Sequence, residues 1–385
     1  MKVVVAPDKF RGSLSALEAS LAMERGVLDA LPSARVDRIP MADGGEGTMD
    51  ALVAATAGSI HPVQVCGPLG APVPAAFGIL GDRTTAVIEM ALASGHAHVP
   101  RDRRDPSITT TRGTGDLLLA ALSAGARRII LGLGGSATND AGAGLAQALG
   151  FRLLDADGNE LPAGGAALLR LARIDPSSRD PRLLNLEVSV ACDVDNPLSG
   201  PTGASAVYGP QKGATSEMVA QLDRALAHFA AIIKRDLGAD ILTTPGGGAA
   251  GGLGAGLVAF ANGRLQPGVS LVINTVNLPA RLAGAALCIT GEGALDASSA
   301  FGKTAVGVAR LARSLGCPTL ALAGTIGKGA EAVLDQGINA YFSICPAPIP
   351  LAQAFARAPQ LLQQATAQAV RCFLAGQKQN IEHSR

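Results

Sequence analysis

Several short stretches of this chain have the residue types and spacing to handle charged oxygens. Gly134, Gly135 and Ser136, then Thr138, Asn139 and Asp140, leave an apolar run over 129–133 and enter a small-residue helix expected over 141–149. A strand that breaks through glycines into a helix start exposes backbone N–H groups at the positive end of the helix dipole, where phosphate binds. Ser136 and Thr138 add hydroxyl donors. Asp140 repels an anion, so it either meets a divalent cation beside the phosphate or caps the helix. Asp193, Asp195 and Asn196 follow an apolar run over 186–191. Such oxygen ligands suit a hard cation, which points to Asp193 and Asp195 as a Mg2+ site. Lys212 supplies a nearby cation for charged oxygens. Asp8, Lys9, Arg11 and Ser13 follow the first strand, and Asp43 stands between a second strand and Gly44-Gly45. Glu292 and Asp296 follow a late strand over 285–289.

These residues need strands that end where a ligand can sit, because open α/β sheets bind ligands at the carboxyl ends of their strands. Strand–turn–helix units recur at both chain ends. Ser15 and Glu18 form a capping box for a helix reaching about residue 31. Segments near 63, 73–80 and 85–90 alternate and are separated by Gly-Pro turns, as antiparallel strands do. Residues 216–237 read as a long amphipathic helix and 152–182 as a peripheral elaboration. The glycine-rich run over 245–254 either wraps a ligand or lets two segments pack closely. The fold class is α/β with two α/β domains. A Rossmann-like, doubly wound domain takes 1–70 and 285–385, and a mixed α/β domain over 71–284 is inserted, with the active site expected in the cleft between them. Gly302-Lys303-Thr304 is not a P-loop, because Ala297 stands where the earlier glycine is required. A dinucleotide fingerprint is also missing after the first strand.

Net charge is +1, which gives no electrostatic case for nucleic acid or membrane binding. Aromatic residues are 3 % of the chain and Trp is absent, so the cores must be aliphatic. The 6 cysteines form no CxxC pair and read as reduced thiols of a cytoplasmic protein. Asp8, Lys9 and Arg11 interrupt the first apolar run, so a signal peptide is not expected.

Taken together, 6–15, 41–48, 134–140, 192–197, 208–213 and 290–293 resemble the bacterial type I glycerate kinases, in the family's order and across nearly the whole chain. The chain departs from the family pattern at Ala294, where an Arg is common. The resemblance implies ATP-dependent phosphorylation of D-glycerate, with Mg2+, to give 2-phosphoglycerate. Phosphorylation at the 3-hydroxyl, a related hydroxy acid, or a non-catalytic organic-acid-binding protein are the alternatives. Gly134, Gly135, Ser136, Thr138 and Asn139 are then expected at the nucleotide phosphates. Arg11, Ser13, Asp43, Lys212 and Glu292 are expected at the substrate, and Asp193 and Asp195 at the metal. Asp8, Lys9, Asp193 and Asp296 are the catalytic candidates, with Asp8 or Asp296 as base. A homodimer is compatible with the sequence.

Overall fold

The computed structural model describes residues 1–382. Its strands are β1 (Lys2–Val5), β2 (Arg35–Arg38), β3 (Ser59–Cys66), β4 (Pro72–Ile79), β5 (Thr85–Glu89), β6 (Arg128–Gly132), β7 (Arg152–Leu154), β8 (Arg173–Asp175), β9 (Glu187–Ala191), β10 (Arg264–Gln266), β11 (Leu287–Leu295), β12 (Thr319–Ile326) and β13 (Ala340–Ser343). The chain divides into two units. One holds Met1–Asp43, Asp50–Thr56 and the chain from Val269 on; the other holds Gly44–Met49 and Ala57–Gly268.

The first unit is built on a parallel sheet in the order β13-β12-β11-β1-β2. Val3, Val4 and Val5 are fully buried, as a central parallel strand requires when both faces are covered. One face packs Met23, Val27, Leu361 and Leu362 against Val5 and Ile289; the other packs Val306, Ala309 and Val333 against Ala321 and Ala323. Helices therefore cover both sides. Counted within this unit, the strand order is that of a doubly wound sheet whose switch point lies between β1 and β11. The helix Ala16–Ala30 starts at Ser15, and Ser15 and Glu18 exchange the expected capping bonds.

The second unit carries a six-stranded sheet in the order β10-β9-β6-β5-β4-β3. β5, β6, β9 and β10 are parallel, whereas β3, β4 and β5 form an antiparallel meander. Ile88, Leu117, Leu131, Leu145 and Phe229 fill its core. The helix Ser216–Leu237 is capped by Thr215, and β7 and β8 form the peripheral hairpin.

Residues 57–70, grouped above with the chain ends, contribute β3, whose eight residues pair with β4 in the second unit. Residues 269–284, grouped above with the insertion, belong to the first unit. There the Arg281 guanidinium pairs with the Asp37 carboxylate and donates to the Arg38 and Ala55 carbonyls.

Candidate active site

In the second unit three parallel strands end at one level. Glu89 is aligned with Gly132, and Gly132 with Ala191. The loops after β5, β6 and β9 therefore leave the same edge of the sheet. Gly134 and Gly135 are exposed in the loop after β6, and Ser136 to Asp140 are buried behind them. Lys212, only 2 % exposed, donates from Nζ to the Thr138 carbonyl at 2.6 Å and the Ser136 hydroxyl at 3.2 Å. Burial drives its ammonium down to about 7, while the Asp140 charge pulls it back up. Asn139 is buried. Its Nδ2 donates to Ser205 Oγ, and its Oδ1 has no hydrogen-bond partner.

Of the two expected roles for Asp140, the structure shows capping. Its carboxylate accepts from Thr111 N at 2.9 Å, Thr111 Oγ1 at 2.9 Å, Gly142 N at 3.2 Å and Gly144 N at 3.2 Å. The helix that follows is only Ala143–Ala148, and its first N–H groups already face this acid. The Gly142 and Gly144 N–H groups at that helix start are thereby taken by Asp140. The exposed part of this loop is the Gly134–Gly135 turn, and Thr138 and Asn139 are buried. The glycine run resolves in favour of close packing. A Cβ on Gly251 would lie 1.9 Å from the Thr138 carbonyl, and its φ is +69°.

After β9, Asp193 and Asp195 are exposed. Asp193 Oδ1 accepts the Gly268 N–H at 2.9 Å. Asn196, which the sequence groups with them, is spent on structure: Nδ2 donates to the Thr202 carbonyl and Oδ1 accepts from Tyr208. No group of three His, Cys, Asp or Glu side chains gathers as a metal cage among the described residues. Two exposed carboxylates two positions apart in one loop are nevertheless the kind of ligand Mg2+ takes, since it keeps several waters and binds one or two carboxylates plus substrate phosphates.

In the first unit the second group assembles at the switch point. Val5 is aligned with Ile289, so Asp8 and Glu292 each stand three residues past an aligned pair. The Asp8 N–H donates to the Gly291 carbonyl at 2.9 Å. Asp8 is buried and each of its oxygens has a partner, with Oδ1 accepting Lys9 N at 2.6 Å and Oδ2 accepting Thr304 Oγ1 at 2.5 Å. Burial raises its pKa, and the Asp43 charge adds to the rise. Glu292 Oε1 is buried with no hydrogen-bond partner. Burial pushes its carboxyl up to about 7; Lys303 opposes the shift and Asp8 reinforces it. Asp296 differs. It caps the turn Ala297–Phe301 by accepting from Ser298, which holds its pKa low. Ser13 turns its hydroxyl to the Phe10 carbonyl, and Arg11 is exposed.

Residues 3–374 match the model of the glycerate kinase family. The chain belongs to the glycerate kinase family. It is 52 % identical over 364 residues to the glycerate kinase of Bacillus subtilis (strain 168), covering 94 % of this chain and 95 % of that one. It is 48 % identical over 355 residues to the glycerate 2-kinase of Escherichia coli (strain K12), covering 92 % and 93 %. Among solved structures it resembles a Salmonella typhimurium LT2 protein with the provisional name glycerate kinase 2. That match has a TM-score of 0.90 and 48 % identity, covering 98 % of this chain and 99 % of that one. Against this glycerate kinase framework, sequence reasoning missed His96, Arg104 and Thr304. His96 and Arg104 lie after β5; Arg104 falls in the stretch 100–106, which reads from sequence only as a charged surface loop, and nothing singles out His96 in the sequence. Thr304 was passed over because its Gly-Lys-Thr context fails as a P-loop.

Proposed function

We propose that the protein transfers the γ-phosphoryl group of ATP to the 2-hydroxyl of D-glycerate, giving 2-phosphoglycerate and ADP. The reaction class rests on the full-length family match. The 2-hydroxyl rests on the name of the Escherichia coli relative. The geometric observation that carries the reading is Lys212, an ammonium buried directly behind an exposed glycine turn. Phosphoryl transfer asks a protein mainly for alignment and charge neutralisation. The Gly134 and Gly135 N–H groups take phosphate oxygens, with Ser136, Thr138 and Asn139 fixing the turn from below. Asp193 and Asp195 hold Mg2+, which neutralises charge on the phosphates when bound.

Glu292 is the base in this reading. A carboxyl poised near 7 with a vacant buried oxygen can accept the hydroxyl proton at neutral pH. Asp296 is unsuited, because its carboxylate is committed to its cap. Asp8 positions Thr304 and Lys9 and raises the pKa of Glu292. Lys9, Arg11 and Asp43 complete the polar surroundings of the substrate.

The test is ADP release with D-glycerate, ATP and Mg2+, with the product read by phosphorus NMR. A 2-phosphoglycerate signal is expected. A 3-phosphoglycerate signal would move the reaction to the other hydroxyl, and no turnover would overturn the activity.

A further inference from the structure

Three cationic or potentially cationic side chains are brought together behind the glycine turn by backbone contacts. His96 donates its N–H to the Gly135 carbonyl at 3.0 Å, and Gly95 forms a bridge with Ser136. Ser136 in turn accepts from Lys212 Nζ at 3.2 Å. Gly213, next to Lys212, has φ +97° and packs against Arg104 so tightly that a Cβ would lie 2.3 Å from the Arg104 carbonyl. Two buried nitrogens in this group have no hydrogen-bond partner, His96 Nδ1 and Arg104 Nε. Unpaired buried polar atoms are costly, so Arg104 Nε asks for an acceptor, and His96 Nδ1 asks for one in its Nδ1–H tautomer.

The charges are unbalanced as well. Arg104 and Lys212 both depress protonation of His96, after the larger effect of burial. The carboxylate that acts on Lys212 is Asp140, whose oxygens already accept four hydrogen bonds. An incoming anion would supply the acceptor that Arg104 Nε lacks, and one for His96 when its Nδ1 carries the proton.

We infer that His96, Arg104 and Lys212 form one oxyanion site that takes the carboxylate of the hydroxy-acid substrate, an inference that rests on the activity proposed above. The site suits a small monoanion. His96 Nδ1, Arg104 Nε and Lys212 are buried, although His96 and Arg104 are half-exposed overall, whereas the Gly134–Gly135 turn and the Asp193–Asp195 pair are exposed and can receive a bulkier hydrated phosphate–metal group. The guanidinium presents an unpaired Nε edge, which matches a planar carboxylate side-on. His96 Nδ1 and Lys212 Nζ add further contacts to the same small group.

The test compares wild type with Arg104→Gln and His96→Gln. Two readouts are used: steady-state kinetics, and equilibrium dialysis of D-glycerate without nucleotide. Arg104→Gln is expected to raise KM and the dialysis Kd for D-glycerate about 10- to 100-fold, the worth of one charged hydrogen bond. KM for ATP should stay within about twofold. His96→Gln should shift the same two constants in the same direction by less, and it gives a second reading if Arg104→Gln does not fold. A rise in KM for ATP with unchanged glycerate binding would assign the site to nucleotide phosphate and overturn the inference. Unchanged constants in the folded variants would also overturn it. Absence of wild-type turnover, with glycerate binding retained and lost on Arg104→Gln, would overturn the kinase activity and leave the site standing.

Discussion

Glu292 carries the most exposed prediction. Burial lifts its carboxyl from 4.5 to about 7, against the pull of Lys303 and with the push of Asp8 and Asp296. If Glu292 takes the hydroxyl proton, only its ionised form works, so kcat rises with pH up to about 7 and then levels. At pH 6 the rate should be about a tenth of the plateau. Glu292→Gln should lower kcat by about 100-fold or more and remove this limb. The same burial has a sign for stability. A carboxyl whose folded pKa is raised contributes most below its unfolded value, and that contribution is lost as pH climbs through about 7. The full difference corresponds to about 3 kcal/mol. Glu292→Gln should therefore be more stable than wild type at pH 8, and the gap should close by pH 5. Stopped assays across pH 5.5–8.5, paired with thermal melts at each pH, read both effects. A variant within threefold of wild-type kcat, or one that keeps the acid limb, would refute Glu292 as the base. A wild type that gains stability between pH 5 and 8 relative to the variant would refute the buried, raised carboxyl itself.

Asp140→Ala leaves four donors unsatisfied, so it should cost about 3 kcal/mol or more and appear as a drop in Tm of many degrees. A Tm within two degrees of wild type would return Asp140 to solvent or metal chemistry. Gly251→Ala should unfold the glycine-turn region or abolish turnover, because its methyl would meet the Thr138 carbonyl. Gly238→Ala, where nothing lies within 4 Å, should cost only about 1 kcal/mol, measured by urea denaturation. Asp195→Asn should raise the Mg2+ concentration for half-maximal rate about tenfold while leaving Tm unchanged, and an unaltered Mg2+ titration would remove Asp195 from the metal site.

Much of the frame was legible because strands and caps are local. The apolar run at 2–6 reads as a strand, Ser15 with Glu18 as a capping box, and the alternating segments near 63, 73–80 and 85–90 as antiparallel strands; each is what the structure contains. Glycine runs were legible as places of close approach but not by purpose. Whether 245–254 surrounds a ligand or a backbone depends on what arrives from elsewhere in the chain, and Thr138 arrives. The division between units was harder for the same reason. Residues 57–70 and 269–284 carry local patterns that fit either unit, and their partners, β4 for one and Asp37 for the other, are distant in sequence.

The acids show most plainly what sequence omits. Asp8, Asp140, Glu292 and Asp296 all stand near glycines after strands, and by type alone they are interchangeable. Their hydrogen bonds separate them. Asp140 takes the Gly142 and Gly144 N–H groups together with the N–H and hydroxyl of distant Thr111, and Asp296 takes the Ser298 N–H of its own turn, so both hold backbone in place. Asp8 gives both oxygens to Lys9 and Thr304, so it holds side chains and sets the charge nearby. Glu292 alone of the four keeps a buried oxygen unpaired. An unpaired buried acceptor costs stability, and a proton relieves that cost. The same imbalance that lifts its pKa is what would let it take a proton from a hydroxyl and give it up again. Lys212 is the complementary case, an ammonium held near neutrality until an anion arrives.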